Sequence, residues 1–197
     1  MEELYFPLDI VESTFEIKGS TFISYVIPKA EMQNWIAKMH QKHPKAVHFV
    51  RASRFFNDKG QIEENFSDDG EPKGTSGMPT LKVLRGYGLI ECGLLSIRYF
   101  GGTLLGTGGL VRAYTQGAKN AILAAKDSNK LGLYVFKKKA EVKVDFTYFS
   151  QVEYLAQKIG IQIIKKEFLC DSVLLKIEAE KELLEEFLQK IKNLSYL

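Results

Sequence analysis

The amino-acid sequence predicts an α+β protein built from two domains, and three observations support this prediction. The length of 197 residues suits one large domain or two small ones. Short runs rich in Thr, Phe, Ile, Tyr and Val, which are typical of strands, are interspersed with apolar residues at helical spacing. The composition changes near Lys137, where KKK at residues 137–139 opens a different unit.

The N-terminal domain is assigned to residues 1–136, and its first half is predicted to contain strands around one helix. Residues 14–27 are typical of two strands broken at Gly19. Residues 31–43 place apolar side chains on one face of a helix, and a strand follows over residues 47–56, ending in the turn sequence NDKG.

The second half of this domain is predicted to run helix, strand, helix. Residues 79–85 are typical of a short helix, in which Pro79 is tolerated because first-turn amides lack internal partners. A strand follows over residues 94–100. The last helix starts directly out of a glycine-rich loop, and apolar residues mark its buried face: Leu110, Tyr114, Ala118, Ala121, Ile122 and Ala125.

The C-terminal domain is assigned to residues 137–197 and is predicted to be ferredoxin-like, because its elements follow the order βαββα. A capping box, SQVE at residues 150–153, is expected to begin the first helix. The predicted elements are a strand over 140–146, a helix ending at Gly160, strands over 161–168 and 172–178, and a helix over 181–194.

The composition excludes several classes of protein. A hydrophobic fraction of 45% supports a buried core, and a net charge of +3 permits a nucleic-acid partner without indicating one. The two cysteines, Cys92 and Cys170, are too few for a disulfide framework, so we expect a reducing, cytoplasmic location. The N-terminal sequence MEELYFPLDI does not resemble a signal peptide, and no apolar run is long enough to span a membrane.

The acidic segment FSDDGEPKGTSGMPTLKVL, residues 66–84, raises the question of a metal site. An EF-hand loop starting at Asn65 would place Ser76 where a bidentate Glu is required, so calcium is not predicted. Two alternatives stay open for the acids. Asp68, Asp69 and Glu71 would hold magnesium, or they would bind backbone amides and cap the helix that follows.

The glycine-rich segment IRYFGGTLLGTGGLVRAY, residues 97–114, raises the question of a phosphate site. It is not a P-loop, because Thr107 stands where the lysine must be. Glycines nevertheless let the backbone approach a ligand, and a helix beginning near Gly109 would offer unpaired amides to an anion, with Arg98 and Arg112 adding charge. Alternatively, the glycines only permit a tight strand-to-helix crossing.

Nucleophilic catalysis has little support in the sequence. The histidines are His40, His43 and His48, of which His48 lies on a predicted strand. No nucleophile-elbow motif or Cys–His signature is present. No catalytic residue, cofactor or metal is therefore assigned.

The segments FSDDGEPKGTSGMP and RYFGGTLLGTGGLVRAY together resemble the signature of the IMPACT/YigZ family of translation-linked proteins. HPKAVHF, residues 43–49, also resembles a strand of that family, with His48 at the family's histidine. The resemblance covers essentially the whole chain. It implies an N-terminal domain with the left-handed βαβ crossover shared by domain IV of elongation factor G and several ribosomal proteins. It also implies a ferredoxin-like C-terminal domain similar to domain V of that factor.

The resemblance implies a non-enzymatic binding protein in translation or its regulation, with RNA, the ribosome or a translation protein as partner. Two alternatives are kept: an enzyme acting on a phosphate-bearing small molecule or nucleotide with His48 as base, and a pure protein-interaction module. The oligomeric state is left open. The expected anion- or nucleic-acid-binding residues are Arg98, Gly101, Gly102, Gly106, Gly108, Gly109 and Arg112, beside a surface that contains His48, Asp68, Asp69 and Glu71.

Overall fold

The computed structural model describes residues 3–194 and divides the chain into two compact units after Tyr134. The sequence places this boundary after residue 136, slightly further along the chain. The expected two-domain α+β organisation is confirmed. Among the described residues, no helix is both long enough and apolar enough to cross a membrane.

A five-stranded antiparallel sheet, in the order β2-β3-β6-β4-β5, forms the centre of the first unit. A separate two-stranded ribbon pairs β1 with β7. The strands are β1 (Tyr5–Pro7), β2 (Val11–Ile17), β3 (Ser20–Pro28), β4 (His48–Phe56), β5 (Ile62–Ser67), β6 (Cys92–Tyr99) and β7 (Leu131–Leu133). The helices are α1 (Met32–Lys42), α2 (Gly77–Gly86) and α3 (Gly106–Asp127), and a 3-10 helix over Lys29–Glu31 precedes α1.

Helices cover both faces of this sheet, because successive side chains of a strand point to opposite faces. Tyr25 of β3 points to one face, where its ring contacts Trp35 of α1. The next residue, Val26, points to the other face and packs in one cluster with Leu84 of α2 and Ala118 of α3. The core of the unit is therefore two apolar layers with the sheet between them.

Two crossovers connect parallel strands of the sheet. β3 reaches β4 through α1, and β5 reaches β6 through α2 on the opposite face, each skipping one strand. The second crossover therefore differs from the first in the face that its helix covers. It also moves across the sheet in the opposite direction, and the two strands that it joins run opposite to β3 and β4. These three reversals give the two crossovers opposite hand. Since crossovers are almost always right-handed, the sheet contains one exception, the left-handed βαβ unit that the resemblance implies.

Several elements differ from the sequence prediction. The strand β5 was not predicted, because its sequence IEENFS is polar and lies at an exposed sheet edge, where apolar alternation is not required. The strands β1 and β7 are only three residues long and have no periodicity to detect. The helix α3 begins at Gly106, earlier than the predicted start near Gly109.

The second unit has the predicted βαββα order and a three-stranded antiparallel sheet in the order β8-β10-β9. This is the arrangement expected of a ferredoxin-like unit. Val152 of the first helix and Phe187 of the second pack on one face of the sheet. The elements are β8 (Lys137–Asp145), α4 (Phe146–Ile159), β9 (Gln162–Phe168), β10 (Ser172–Glu180) and α5 (Lys181–Leu194).

The predicted capping box at the start of α4 is wrong. The helix begins at Phe146, and its N-cap is Asp145, whose carboxylate accepts a hydrogen bond of 2.8 Å from the amide of Thr147. Ser150 therefore lies inside the helix, beyond the first-turn amides that a cap satisfies. The sequence FTYF concealed this start, because the aromatic residues that follow Asp145 are typical of a strand, even though Asp is a common N-cap residue.

Within the glycine-rich segment, Gly101 makes the closest contact with backbone atoms. A Cβ on Gly101 would lie 1.9 Å from the carbonyl carbon of Gly19 and 2.3 Å from the amide nitrogen of Ser20. Gly108 differs, because a Cβ there would meet only a guanidinium nitrogen of Arg112 at 3.5 Å. The close crossing expected of the glycine loop is therefore made by Gly101 against the turn between β2 and β3.

We expect Gly101→Ala to destabilise the protein by about 1–3 kcal/mol or more, because the added methyl group would displace backbone atoms. Gly108→Ala is the matched control and should leave the free energy of unfolding unchanged or slightly increased, since it replaces glycine within a helix. Urea denaturation measures both. Equal stability of the two variants would contradict the assigned role of Gly101.

Asp145→Ala should lower the melting temperature of the second unit at neutral pH, whereas Ser150→Ala should not. Hydrogen bonds from Thr147 hold the pKa of Asp145 below its ordinary value. A lowered pKa means that this stabilisation is present above the pKa of the unfolded chain and is lost as the pH falls. Thermal melting followed by circular dichroism should therefore show the difference between wild type and Asp145→Ala shrinking in acid. If Ser150→Ala lowered the melting temperature more than Asp145→Ala, the result would support Ser150, not Asp145, as the N-cap of this helix.

Candidate functional site

The fold brings both unusual segments of the sequence to one end of the five-stranded sheet. The start of β4 pairs with the end of β6, so that His48 lies opposite Arg98. The acidic loop, residues 68–76, leaves the end of β5 beside the start of β4. The glycine loop, residues 100–105, leaves the end of β6, where Gly101 contacts the turn between β2 and β3. Elements distant in sequence thus form one surface.

Asp68 organises the acidic loop and caps α2. Its Oδ1 accepts hydrogen bonds from the amide of Gly77 at 2.7 Å and from the hydroxyl of Ser76 at 2.7 Å. Its Oδ2 accepts from the amide of Gly74 at 2.8 Å. Burial alone would raise the pKa of Asp68, but these hydrogen bonds hold it below its ordinary value. Asp68 therefore binds backbone amides and caps α2, which is one of the two alternatives that the sequence left open.

Asp69 joins the acidic loop to the start of β4. Its Oδ2 accepts a hydrogen bond of 2.6 Å from the amide of Phe49, and its carbonyl oxygen lies 2.7 Å from Nδ1 of His48. The backbone of Asp69 is left-handed, with φ 47°, a conformation that Asp tolerates better than most residues. Both oxygens that make these contacts are directed at β4, so Asp69 positions His48.

Glu71 lies at the centre of a buried polar cluster and is only 7% exposed. Its Oε1 accepts hydrogen bonds of 2.7 Å from Nη1 of Arg98 and from the hydroxyl of Tyr114. Its other oxygen, Oε2, lies 3.8 Å from Nε2 of His48. Burial and the hydrogen bond to Glu71 both raise the pKa of Tyr114, so its hydroxyl stays a donor at neutral pH.

Tyr114 was predicted only as an apolar position on α3, and its polar role was missed. A tyrosine within an otherwise Ala- and Leu-rich helix face is a usable signal, because a buried hydroxyl needs a hydrogen-bond partner. The sequence could not identify that partner, since Glu71 lies 43 residues away along the chain.

Arg98 does not lie exposed beside the glycine loop, as an anion-binding role would require. It is 5% exposed, donates to Glu71, and places its guanidinium carbon 5.7 Å from the rings of Phe22 and Phe100. Its position on β6 directs it to the face covered by α3, because it alternates with side chains that point to α1. Of the two arginines that flank the loop, only Arg112 is exposed.

The glycines of the loop have different roles. Gly102 and Gly106 have φ values of 82° and 69°, which favour glycine, whereas Gly101 makes the close crossing. Gly108 and Gly109 lie in the first turn of α3. The N-cap of this helix, Leu105, provides no side-chain hydrogen bond, and the first turn contains no acidic residue. The start of α3 therefore offers backbone amides that no capping side chain occupies.

His48, Asp68, Asp69 and Glu71 lie close together, but their polar atoms mainly contact one another and backbone groups. Among residues 3–194, no group of three or more His, Cys, Asp or Glu side chains is arranged to hold a metal ion. A cavity of about 720 Å³ lies elsewhere in the first unit and includes none of the predicted site residues. Its walls include Phe6, Pro28, Lys29, Met32, Phe55 and Glu91.

Comparison with known proteins places the chain among relatives of one kind. Residues 18–122 match the family model of the Impact N-terminal domain. An IMPACT family member of Haemophilus influenzae is 36% identical over 85% of this chain and 81% of its own length. The IMPACT family member YigZ of Escherichia coli is 31% identical over 96% of this chain and 90% of its own length. A crystal structure described as that of a hypothetical protein is 29% identical and superposes with a TM-score of 0.78 over 100% of this chain and 94% of the other.

We expect Arg98→Met to destabilise the first unit by about 3–5 kcal/mol, because it leaves the carboxylate of Glu71 buried without its cation. Arg85→Met is the matched control. Arg85 also pairs with a glutamate, Glu64, but it is exposed and Arg54 remains as a second partner, so little stability should be lost. Urea denaturation of both variants measures the difference. Similar losses of stability in the two variants would show that the buried pair of Arg98 and Glu71 contributes no more than an exposed pair.

Proposed function

The chain belongs to the IMPACT family, and on this basis we propose that it is a non-enzymatic binding protein that acts in translation or its regulation. The family resemblance is to translation-linked proteins, and the left-handed crossover agrees with the fold that this resemblance implies, which domain IV of elongation factor G shares with several ribosomal proteins. The proposed ligand is the phosphate backbone of RNA, alone or within the ribosome. The observation that carries this choice is the uncapped start of α3 beneath Arg112.

The start of α3 has the physical properties of an anion site. The helix is 22 residues long, and the partial positive charge at its N-terminus is not offset by an acidic side chain in the first turn. Gly106 and Gly108 are exposed and carry no side chain that would keep a phosphate from the backbone amides. Arg112 folds back over this turn, with a guanidinium nitrogen 3.5 Å from the position of a Cβ on Gly108.

The nearby acids do not oppose an anion strongly, because their carboxylates accept hydrogen bonds from protein groups. Asp68 and Asp69 accept hydrogen bonds from backbone amides, and Glu71 is paired with Arg98. The same contacts weaken the enzyme alternative, since the carboxylates that would hold a metal already bind protein groups. The glycine loop and Arg112 thus offer dipolar and charged groups to an anion on this surface.

The lysines on the strands β9 and β10 of the second unit support RNA binding less. Lys165 pairs with Glu167 at 2.6 Å, and Lys166 pairs with Glu153. Lys176 on the neighbouring strand pairs with Glu141 at 2.9 Å. These lysines lie among carboxylates of opposite charge, so their attraction for phosphate is reduced.

A translation protein is the second candidate partner, and two exposed side chains favour it. Leu104 is 83% exposed and Phe100 is about half exposed, both in the glycine loop. Apolar side chains beside a polar rim are typical of protein interfaces, although Phe100 would equally stack on a base. Dependence on salt separates the two candidates, because phosphate contacts release counterions and apolar contacts do not.

The test measures binding of the tagged protein to ribosomes by sedimentation and to single-stranded RNA by fluorescence anisotropy, across a series of salt concentrations. Arg112→Ala should weaken binding to all RNA sequences about equally and reduce the slope of log affinity against log salt by about 0.7, the value for one phosphate. Lys119→Ala removes an exposed cation further along the same helix and should have little effect.

Unchanged affinity and slope in a folded Arg112→Ala variant would remove the anion role of α3. Binding to ribosomes that is insensitive to salt but lost in Leu104→Ser would favour the protein partner. Circular dichroism controls for folding in each case, because a misfolded variant would lose binding for a trivial reason.

A further inference from the structure

Exposed cations collect at one end of the five-stranded sheet in the first unit. Each strand runs antiparallel to its neighbours, so the ends of β2, β5 and β6 meet the starts of β3 and β4. None of the ion pairs within residues 3–194 includes a basic residue from the connections at this end. These exposed residues are Lys18 between β2 and β3, Lys45 before β4, Lys73 after β5 and Arg112 after β6.

Acidic residues lie at the opposite end of the same sheet. Glu91 directly precedes β6, Asp58 follows β4 and Asp9 precedes β2. Two lysines at that end are paired with these acids, since Lys29 lies 3.2 Å from Glu91 and Lys130 lies 3.0 Å from Asp9. Charge is thus separated along the strand direction, and the field of this arrangement draws a polyanion to the basic end.

Lys18 occupies a turn position at which a lysine is unusual. Lys18 and Gly19 connect β2 to β3, and both have left-handed backbones, with φ values of 48° and 79°. Two-residue hairpin turns of this kind favour Asn, Asp or Gly at the first position, because these residues tolerate a positive φ. The backbone conformation therefore does not explain the lysine, and residues held in such conformations cluster at functional sites.

The turn at Lys18 is fixed beside the glycine loop. A Cβ on Gly101 would lie 2.1 Å from the carbonyl oxygen of Gly19, and the amide of Gly101 donates a hydrogen bond of 3.2 Å to the hydroxyl of Ser20. One exposed acid, Glu16, lies near the turn on β2, where it accepts a hydrogen bond of 3.2 Å from the hydroxyl of Thr21. The ammonium of Lys18 thus belongs to the same surface as the start of α3.

We propose that a strand of RNA crosses the basic end of the sheet, with Lys18 and Lys73 contacting phosphates on either side of the glycine loop. In the order β2-β3-β6-β4-β5, Lys18 connects the first two strands, the glycine loop leaves the middle strand and Lys73 follows the last. Cations on separate connections fit a chain of phosphates better than one free phosphate. This inference rests on the proposed RNA-binding function and extends it from the start of α3 to the whole end of the sheet.

The variant Lys18→Asn separates a loss of binding from a loss of folding. Asn tolerates a positive φ, so the variant should keep or raise the melting temperature while it removes the cation. Lys59→Asn is the matched control. Lys59 is also an exposed lysine followed by a glycine in a hairpin connection, but it lies between β4 and β5 at the opposite end of the sheet. Lys73→Gln removes the second proposed contact.

The measurement is the affinity for oligo(rU), obtained by fluorescence anisotropy across a series of salt concentrations. Each phosphate contact with a single strand contributes about 0.7 to the slope of log affinity against log salt. We expect Lys18→Asn and Lys73→Gln each to reduce the slope by about 0.7, and the double variant to reduce it by about 1.4, because two phosphates are bound at once. Lys59→Asn should leave the slope unchanged.

The outcomes separate this inference from the function on which it rests. RNA binding by the wild-type protein with a slope that neither Lys18→Asn nor Lys73→Gln changes overturns the crossing strand and leaves the anion role of Arg112 standing. An equal reduction in Lys59→Asn also overturns it, because the effect would then be one of overall charge. If Lys18→Asn lowers the melting temperature, Lys73→Gln decides, and an unchanged slope in that variant overturns the proposal. Failure of the wild-type protein to bind any RNA overturns the proposed function and this inference with it.

Discussion

The buried carboxylate of Glu71 is the interaction on which the arrangement of this site depends. A carboxylate that is removed from water must be compensated by charge and hydrogen bonds. Glu71 meets that requirement with Arg98 from β6 and Tyr114 from α3, which both donate to the same oxygen. The glycine-rich segment between those two donors is thereby anchored at both ends, and the acidic loop is tied to it.

This anchoring explains how a segment rich in acids and glycines forms the surface for which we propose an anion-binding role. The carboxylates of Asp68 and Asp69 accept hydrogen bonds from backbone amides, and that of Glu71 pairs with Arg98. In contrast, no side chain caps the amides in the first turn of α3. Gly101 brings the loop against the turn at Gly19, and Gly102 and Gly106 allow its path back to the helix. The two interpretations of the glycine-rich segment, a close crossing and an anion site, are therefore compatible, because they use different glycines.

Much of the fold could be predicted from local patterns. The apolar faces of α1, α3 and α5 and the strands β2, β3, β4, β6 and β10 agree with the periodicity of their sequences, and the βαββα order of the second unit followed from it. The failures have two causes. The exposed edge strand β5 and the short ribbon of β1 and β7 have no apolar period that would reveal them. The start of α4 was hidden because aromatic residues typical of a strand follow its N-cap, Asp145.

The sequence by itself determined most of the elements, the family and the identity of the unusual residues, because backbone preference, side-chain period and motif order are local properties. It also identified His48, Asp68, Asp69 and Glu71 as members of one surface through the family resemblance. Only the tertiary structure decided which of them bind one another. Glu71 and Arg98 are 27 residues apart, and whether an arginine on a strand meets a buried carboxylate or water depends on strand register and on which helix covers that face. That dependence is why the sequence assigned Arg98 to an anion and the fold assigned it to Glu71.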